Sequence, residues 1–175
     1  MKRAVLAAAA LAAACAQFDP RPPEGPLEFQ LTGRLAARYE SESFSGNVSW
    51  SHARQGDEML ISTPMGQGLA RIVRDADGVV LRTAEPREYR AADAEALTQE
   101  VLGFRLPLAG LGDWVRGRAS QGSPAVTERN QDGTLKSLEQ AGWRVEYQEY
   151  EAHRPKRMRL LYPGVDLRFV VTEWK

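Results

Sequence analysis

The sequence is poor in the residues that build cross-links, metal sites and nucleic-acid surfaces. It has one cysteine and two histidines among 175 residues. A single cysteine excludes an intrachain disulfide framework and a metal site made of several thiolates. The 23 basic residues are balanced by 23 acidic ones, so the chain lacks the basic excess that nucleic-acid binding usually requires. We therefore expect no nucleic-acid partner, no metal and no cofactor.

Long apolar runs are also absent after residue 15, and the single run before it is short. Met1–Arg3 is cationic, and Ala4–Ala14 contains only alanine, valine and leucine. Crossing a bilayer takes about 20 apolar residues, so this run is typical of a secretory signal rather than a membrane span. We predict that residues 1–14 are a lipoprotein signal peptide. Its removal would leave 21 basic and 23 acidic residues, a net charge of −2.

The only cysteine, Cys15, directly follows three small residues, Ala12–Ala14. This arrangement resembles the bacterial lipobox, whose cysteine becomes the lipidated N-terminus of the mature protein. The lipobox usually has leucine where this chain has Ala12, and an ordinary cleavage site beside a free cysteine is the alternative. We expect lipidation at Cys15, because an unpaired cysteine in an exported protein needs an explanation. Ala16 is not an inner-membrane retention signal, so we expect the outer membrane as the destination.

Residues 15–27 contain four prolines, at positions 20, 22, 23 and 26. Such a segment stays extended and packs no core, so it is predicted to be a lipidated, proline-rich tether. Residues 28–175 then form a single domain, which is long enough for one hydrophobic core. The sequence shows no internal repeat and no second domain.

Apolar and polar residues alternate with period two through most of this domain, which is typical of half-buried antiparallel strands. Phe44–Ser51 is a clear example, and turn signals such as Asp132-Gly133 separate the runs. Two helical segments interrupt the strands. Asp93 is predicted to cap the first and Gly103 to end it, and the second is expected between Pro107 and Gly117. The pattern predicts a mainly β domain of about eleven strands with helices.

No catalytic constellation is visible. His52 and His153 have no partner at metal-ligand spacing, and both are expected at the surface. Asp57 and Glu58 are expected to lie in a turn and to be solvated. The sequence contains neither the Gly-x-Ser-x-Gly motif of hydrolases nor a phosphate-binding loop. We therefore predict that the protein is not an enzyme.

Six segments, in the right order, resemble the LolB family, the outer-membrane receptors of the lipoprotein localisation pathway. The segments are residues 31–35, 44–50, 63–67, 102–108, 142–147 and 167–174. The third resembles the characteristic loop of the family and has Met65 where the family commonly has leucine. The resemblance covers nearly the whole chain after the predicted signal peptide.

The resemblance implies an incomplete, unclosed antiparallel β-barrel with a helical lid over its mouth. It also implies a receptor that accepts lipoproteins from a LolA-like periplasmic carrier and inserts them into the outer membrane without nucleotide. The expected partners are that carrier, lipoprotein acyl chains and outer-membrane lipid, and the expected state is a monomer. Two alternatives stay open: a scaffolding lipoprotein with a filled core, and a carrier of another lipid.

Apolar strand faces supply the expected lining of a lipid-binding cavity. The lining residues are Leu35, Val48, Trp50, Ile61, Leu81, Val145, Leu160 and Phe169. The lid residues are Leu97, Val101, Leu111 and Trp114. Met65 stands between Pro64 and Gly66, two turn-forming residues, so it is predicted at a loop tip that contacts the bilayer or the incoming lipid. The alternative for Met65 is a side chain that folds back as a plug.

Overall fold

The computed structural model of the protein describes residues 23–85, 87–102, 105–106 and 108–175. The predicted signal peptide, the predicted lipidation site Cys15 and most of the predicted tether lie outside the described residues. The described elements are β1 Leu27–Tyr39, β2 Glu42–Ala53, β3 Gly56–Ser62, β4 Gly68–Asp75, β5 Gly78–Thr83, β6 Glu88–Ala91, α1 Ala94–Leu102, α2 Leu108–Trp114, β7 Ala125–Arg129, β8 Leu135–Gln140, β9 Trp143–Glu151, β10 Arg154–Tyr162 and β11 Val165–Trp174.

All eleven strands belong to one antiparallel sheet with the order β6-β5-β4-β3-β2-β1-β11-β10-β9-β8-β7. Two meanders, β1–β6 and β7–β11, are joined where β1 pairs with β11. The sheet is not closed, because β6 and β7 are its two edges and do not pair with each other. This architecture confirms the prediction of an unclosed, mainly β fold with about eleven strands and helices.

The alternation of apolar residues gives the sheet one buried face. Leu31 of β1 lies opposite Trp50 of β2 and Trp174 of β11, and Leu31 and Trp50 are fully buried. The neighbouring residues of β1, such as Arg34 and Arg38, are exposed on the other face. Because side chains alternate along a strand, the concave face carries the core and the outer face carries charge.

Two short helices pack against the concave face. Asp93 caps α1 as predicted, since its Oδ1 accepts a hydrogen bond of 2.7 Å from the Ala96 N–H. The predicted helix stop at Gly103 and the predicted helix start at Pro107 lie outside the described residues. Within the part of the chain that the structure describes, neither helix has the length and apolarity needed to span a membrane.

The strand register defines two ends of the sheet. The turns joining β1 to β2, β3 to β4 and β10 to β11 lie at one end, which we call the upper end. The turns joining β2 to β3 and β9 to β10 lie at the opposite, lower end. Pro23 lies beside Gly56 at the lower end, so the chain enters the domain there.

Candidate functional site

An apolar cavity of about 470 Å³ lies between the concave face and the helices. Strands β1 to β4, β10 and β11 form its wall, and α1, α2 and the segment between them contribute the rest. The lining is Leu35, Ala37, Tyr39, Glu42, Ser43, Phe44, Val48, Trp50, Met59, Ile61, Leu69, Ala70, Ile72, Thr98, Val101, Leu106, Leu111, Val115, Leu160, Leu167 and Phe169. The cavity is therefore built almost entirely from hydrocarbon.

The structure brings six of the eight residues expected in the wall together at this cavity: Leu35, Val48, Trp50, Ile61, Leu160 and Phe169. The other two, Leu81 and Val145, are buried in the core and do not line it. Both point to the concave side, but helices cover them. The helix α1 packs on β5, which carries Leu81, and the Tyr147 hydroxyl of β9 donates to the Trp114 carbonyl of α2 at 2.8 Å.

The four expected lid residues divide in the same way. Val101 and Leu111 line the cavity. Leu97 and Trp114 instead attach the helices to the sheet and are fully buried. Trp114 Nε1 donates to Gln140 Oε1 of β8 at 2.8 Å, so this side chain fixes α2 rather than facing the cavity.

Met65 stands at the tip of the turn between β3 and β4, and its side chain is 98% exposed. The turn is closed on itself, because the Thr63 N–H donates to the Gln67 carbonyl at 2.8 Å and the Gly66 N–H donates to the Thr63 carbonyl at 2.9 Å. Gly66 has φ +88°, a conformation that favours glycine. The methionine therefore projects into solvent and does not fold back into the cavity. Ile61 and Ala70, on the strands below the turn, line the cavity.

A buried polar cluster secures the lower end. Asp57 Oδ1 accepts from Trp50 Nε1 at 2.8 Å and lies 2.6 Å from His52 Nδ1, while Asp57 Oδ2 accepts from Arg74 Nε at 2.5 Å. The expectation that His52 and Asp57 face solvent is wrong, because both are buried. Glu58, expected to be solvated, is also buried and accepts from Arg71 Nε at 2.8 Å. His52 is buried against α2, where a Cβ on Gly112 would lie 2.9 Å from the ring, and Asp57 is buried beneath its three partners. Glu58 lies on the opposite face of the sheet, because side chains alternate along β3, and it is buried there with Arg71.

Ion pairs connect the end of α2 to the start of β1. Arg116 donates to Glu28 at 2.5 Å and to Asp113 at 2.9 Å, and its guanidinium lies 5.4 Å from the centre of the Phe29 ring. The hydrogen bond from Arg116 holds the pKa of Glu28 below its ordinary value. The lid is thus attached at its lower end by charged groups, whereas its cavity side is apolar.

Comparison with known proteins decides the family. The family model described as "Outer membrane lipoprotein LolB" matches residues 27–174. This chain belongs to the LolB family. The match spans the described domain from β1 to β11, which confirms the resemblance found in the six segments.

Named LolB proteins are similar over most of the chain. The Outer-membrane lipoprotein LolB of Nitrosomonas europaea is 40% identical over 153 residues, which are 84% of this chain and 72% of that protein. The LolB of Thiobacillus denitrificans is 36% identical over 168 residues, which are 92% and 90% of the two chains. Among solved structures, a DUF1329 family protein from Desulfovibrio piger matches with TM-score 0.51 at 10% identity, covering 84% of each chain. That likeness shows a shared fold.

Several residues that line the cavity were not expected from the sequence. Ala37, Leu69 and Ala70 line the cavity, and period two on the buried faces of β1 and β4 signals Ala37 and Ala70. Leu69 lies off that face, next to the turn. Leu106 follows α1, and its N–H donates to Thr98 Oγ1 at 2.8 Å. No sequence pattern marks Leu106, because a tertiary hydrogen bond places it.

The two glycines of α2 provide a test of how closely the lid approaches the sheet. A Cβ on Gly112 would lie 2.9 Å from His52 Cε1, and the ring cannot move freely because it is bonded to Asp57. We expect Gly112→Ala to lower the free energy of unfolding by about 1 kcal/mol. Overpacking costs roughly 1–3 kcal/mol, and the higher helix propensity of alanine offsets about 1 kcal/mol of that cost. Urea denaturation measures this change.

Gly110→Ala is the matched control in the same helix. A Cβ on Gly110 would meet Trp114 and Ser120 at 3.5 Å, an ordinary contact distance. This variant is expected to be neutral or more stable by up to about 1 kcal/mol. Equal effects of the two substitutions would contradict the close approach of α2 to His52.

Proposed function

We propose that this chain is the outer-membrane receptor that takes lipoproteins from a LolA-like periplasmic carrier and inserts them into the outer membrane. Membership of the LolB family, together with the apolar cavity of about 470 Å³ under the helices, supports this function. Acyl chains of the lipoprotein are the proposed ligand of the cavity. The chain acts as a monomer, is anchored through Cys15, and binds its cargo with residues 28–175.

The hydrophobic effect explains why such a receptor needs a cavity. Each methylene exposed to water costs roughly 0.8 kcal/mol, so one sixteen-carbon chain costs about 12 kcal/mol. A lipoprotein therefore crosses the periplasm only inside a carrier, and it leaves that carrier only for another apolar site. Because no nucleotide drives the transfer from carrier to receptor, the receptor must bind the acyl chains more tightly than the carrier does.

The cavity offers almost no hydrogen bonds to a ligand. Thr98 is one of its few polar residues, and its Oγ1 already accepts from the Leu106 N–H and donates to the Glu95 carbonyl at 3.2 Å. Among the described residues, no buried side-chain nitrogen or oxygen lacks a partner. Selection therefore rests on apolar contact, as expected for a site that accepts many lipoproteins with different protein parts.

Met65 supports the second step, in which the lipid leaves the cavity for the membrane. The tip is almost fully exposed and stands directly above cavity residues Ile61 and Ala70. Methionine is unbranched and adaptable, so it can enter disordered acyl chains. We assign Met65 to contact with the bilayer during delivery.

The two alternatives differ in what they require of the interior. A scaffolding lipoprotein would have a filled core, so the apolar cavity is evidence against that alternative. A carrier of another lipid would use the same cavity, so binding of free phospholipid must be compared with binding of lipoprotein. In the transfer assay below, a receptor that takes free phospholipid from vesicles as readily as lipoprotein from the carrier would favour this second reading.

Filling the cavity tests acceptance directly. Ala70→Trp places an indole among Ile61, Leu69 and Ile72 on the cavity wall, and we expect transfer of lipoprotein from loaded carrier to receptor to fall at least tenfold. The measurement is the lipoprotein bound to receptor after mixing, determined by co-purification. Ala76→Trp adds the same side chain at an exposed turn and should transfer normally. Normal acceptance by folded Ala70→Trp would overturn the cavity as the acyl-chain site.

A further inference from the structure

The outer face of the sheet carries four arginines close together, which we call the outer arginine patch: Arg34, Arg38, Arg159 and Arg168. Arg34 and Arg38 lie on β1, on either side of Ala36, and Ala36 pairs with Arg168 of β11. Arg168 in turn lies directly opposite Arg159 of β10. Like charges in directly opposed positions on neighbouring strands are destabilising. A bound anion would reduce this repulsion between the arginines.

The carboxylates of the chain do not supply that anion in full. Asp166 accepts two hydrogen bonds from Arg159, of 3.0 and 2.8 Å, and these hold the pKa of Asp166 below its ordinary value. Arg168 reaches the same carboxylate only at 3.5 Å. Among the described residues, no carboxylate forms an ion pair with Arg34 or Arg38. The patch therefore keeps an excess of positive charge.

A shallow pocket of about 260 Å³ opens within the patch. Arg38, Arg168, Ser43 and Ser45 line it together with Ala36. Asp166, the strand partner of Arg38, also lines it, and its carboxylate is already hydrogen-bonded to Arg159. The register places Ser45 opposite Ala36 and Ser43 opposite Arg38. Small residues leave room between guanidinium and hydroxyl donors, and such donors are suited to the oxygens of a phosphate group.

The register also places this pocket at the height of Met65. Asn47 of β2 pairs with Ser62 of β3, so Ser43 and Ser45 continue upward beside the turn that carries Met65. The strand β1 is two positions from β3 in the sheet, which corresponds to roughly 10 Å. Phe44, which is 37% exposed, borders both this pocket and the cavity. The cationic pocket and the exposed apolar side chains therefore lie at the same height along the strands, at the upper end of the sheet.

We propose that the outer arginine patch binds the phosphate of a phospholipid headgroup when the Met65 tip meets the membrane. Binding of the headgroup then orients the protein so that the upper end of the cavity faces the bilayer during delivery. The proposal rests on the function proposed above. A membrane is favoured over an acidic protein segment because the cationic pocket is level with an exposed apolar tip, which is the arrangement of an interfacial surface.

Vesicle binding tests the proposal with the whole mature chain carrying Cys15→Ala, so that an acyl anchor does not dominate. Co-sedimentation is measured with vesicles of phosphatidylethanolamine and phosphatidylglycerol at low salt. The variant is Arg38→Gln/Arg168→Gln. We expect its binding to weaken on the order of tenfold or more, because each basic group near an anionic surface is worth about fivefold, and we expect 0.5 M salt to remove the difference.

The control is Arg54→Gln/Arg154→Gln, which removes the same charge from two exposed side chains at the lower end and should bind as the parent does. Inorganic phosphate at 10 mM separates the two sources of phosphate: it should displace the parent from vesicles only weakly, because it lacks the membrane surface. Full displacement would indicate a site for free phosphate and overturn the assignment to a headgroup. Equal vesicle binding by both double variants would overturn the patch.

A second measurement separates this proposal from the receptor function. Acceptance of lipoprotein from loaded carrier should be unchanged in Arg38→Gln/Arg168→Gln, because the cavity is not altered. Loss of acceptance with normal vesicle binding would assign the patch to an acidic segment of the carrier, against the proposal. If the unaltered chain itself accepts no lipoprotein, the receptor function fails, whatever the patch binds.

Discussion

Met65→Glu should accept lipoprotein normally and fail to deliver it. The side chain is 98% exposed, so its replacement should change the free energy of unfolding by less than about 0.5 kcal/mol. A charge in the acyl region of a bilayer costs up to roughly 2.5–3.5 kcal/mol. Every 1.4 kcal/mol is about a factor of ten, and we therefore expect release into liposomes to slow by tenfold or more.

The assay follows labelled lipoprotein in two steps, from loaded carrier to receptor and then from receptor to liposomes. Met65→Leu should behave as the parent does, because it keeps an apolar tip. Ala76→Glu adds the same charge to an exposed turn at the lower end and should also deliver normally. Delivery by Met65→Glu at the parent rate would remove any insertion role for the tip.

Asp57→Ala should cause the largest loss of stability of any single change considered for this domain. Asp57 is buried and serves three partners, Trp50, His52 and Arg74. Removing one side of a buried charged cluster typically costs 3–5 kcal/mol, because the remaining groups lose their partner. Arg74 retains some contact with water, with 20% of its side chain exposed, so the lower end of this range, about 3 kcal/mol, is expected.

Urea denaturation gives the measurement, with unfolding followed by tryptophan fluorescence. Asp77→Ala removes an exposed carboxylate from the turn between β4 and β5, at the same end of the sheet, and should cost less than about 0.5 kcal/mol. If Asp57→Ala were as stable as the parent, the hydrogen bonds of Asp57 would make no net contribution to the free energy of unfolding, which would contradict the prediction. Since the cluster lies at the lower end, the fraction of Asp57→Ala that is folded should still accept lipoprotein.

Local periodicity explains why much of the sheet and part of the site could be predicted. Alternation assigns Val48 and Trp50 to a buried face whatever the rest of the chain does. It cannot show which buried residues face a ligand and which face a helix. Leu81 and Val145 satisfy the same pattern as Leu35, and only the positions of α1 and α2 separate them from the cavity.

The burial of His52 and Asp57 could not be predicted for a related reason. Both stand beside a turn signal, where local composition favours solvent. Their burial depends on α2, which follows more than fifty residues later in the chain, and on Arg74 from another strand. Long-range packing decides such positions, and a single sequence carries no local sign of it.

The sheet and the helices are held by different kinds of contact. Ten ladders of backbone hydrogen bonds hold the strands, but none joins β6 to β7. Side-chain contacts, such as the bond from Trp114 to Gln140, hold α2 to the sheet. Under the proposed function, we therefore expect that accommodating a longer or second acyl chain would break side-chain contacts of the helices while every ladder stays intact. The volume available to cargo would then depend on the helices and not on the wall of the sheet.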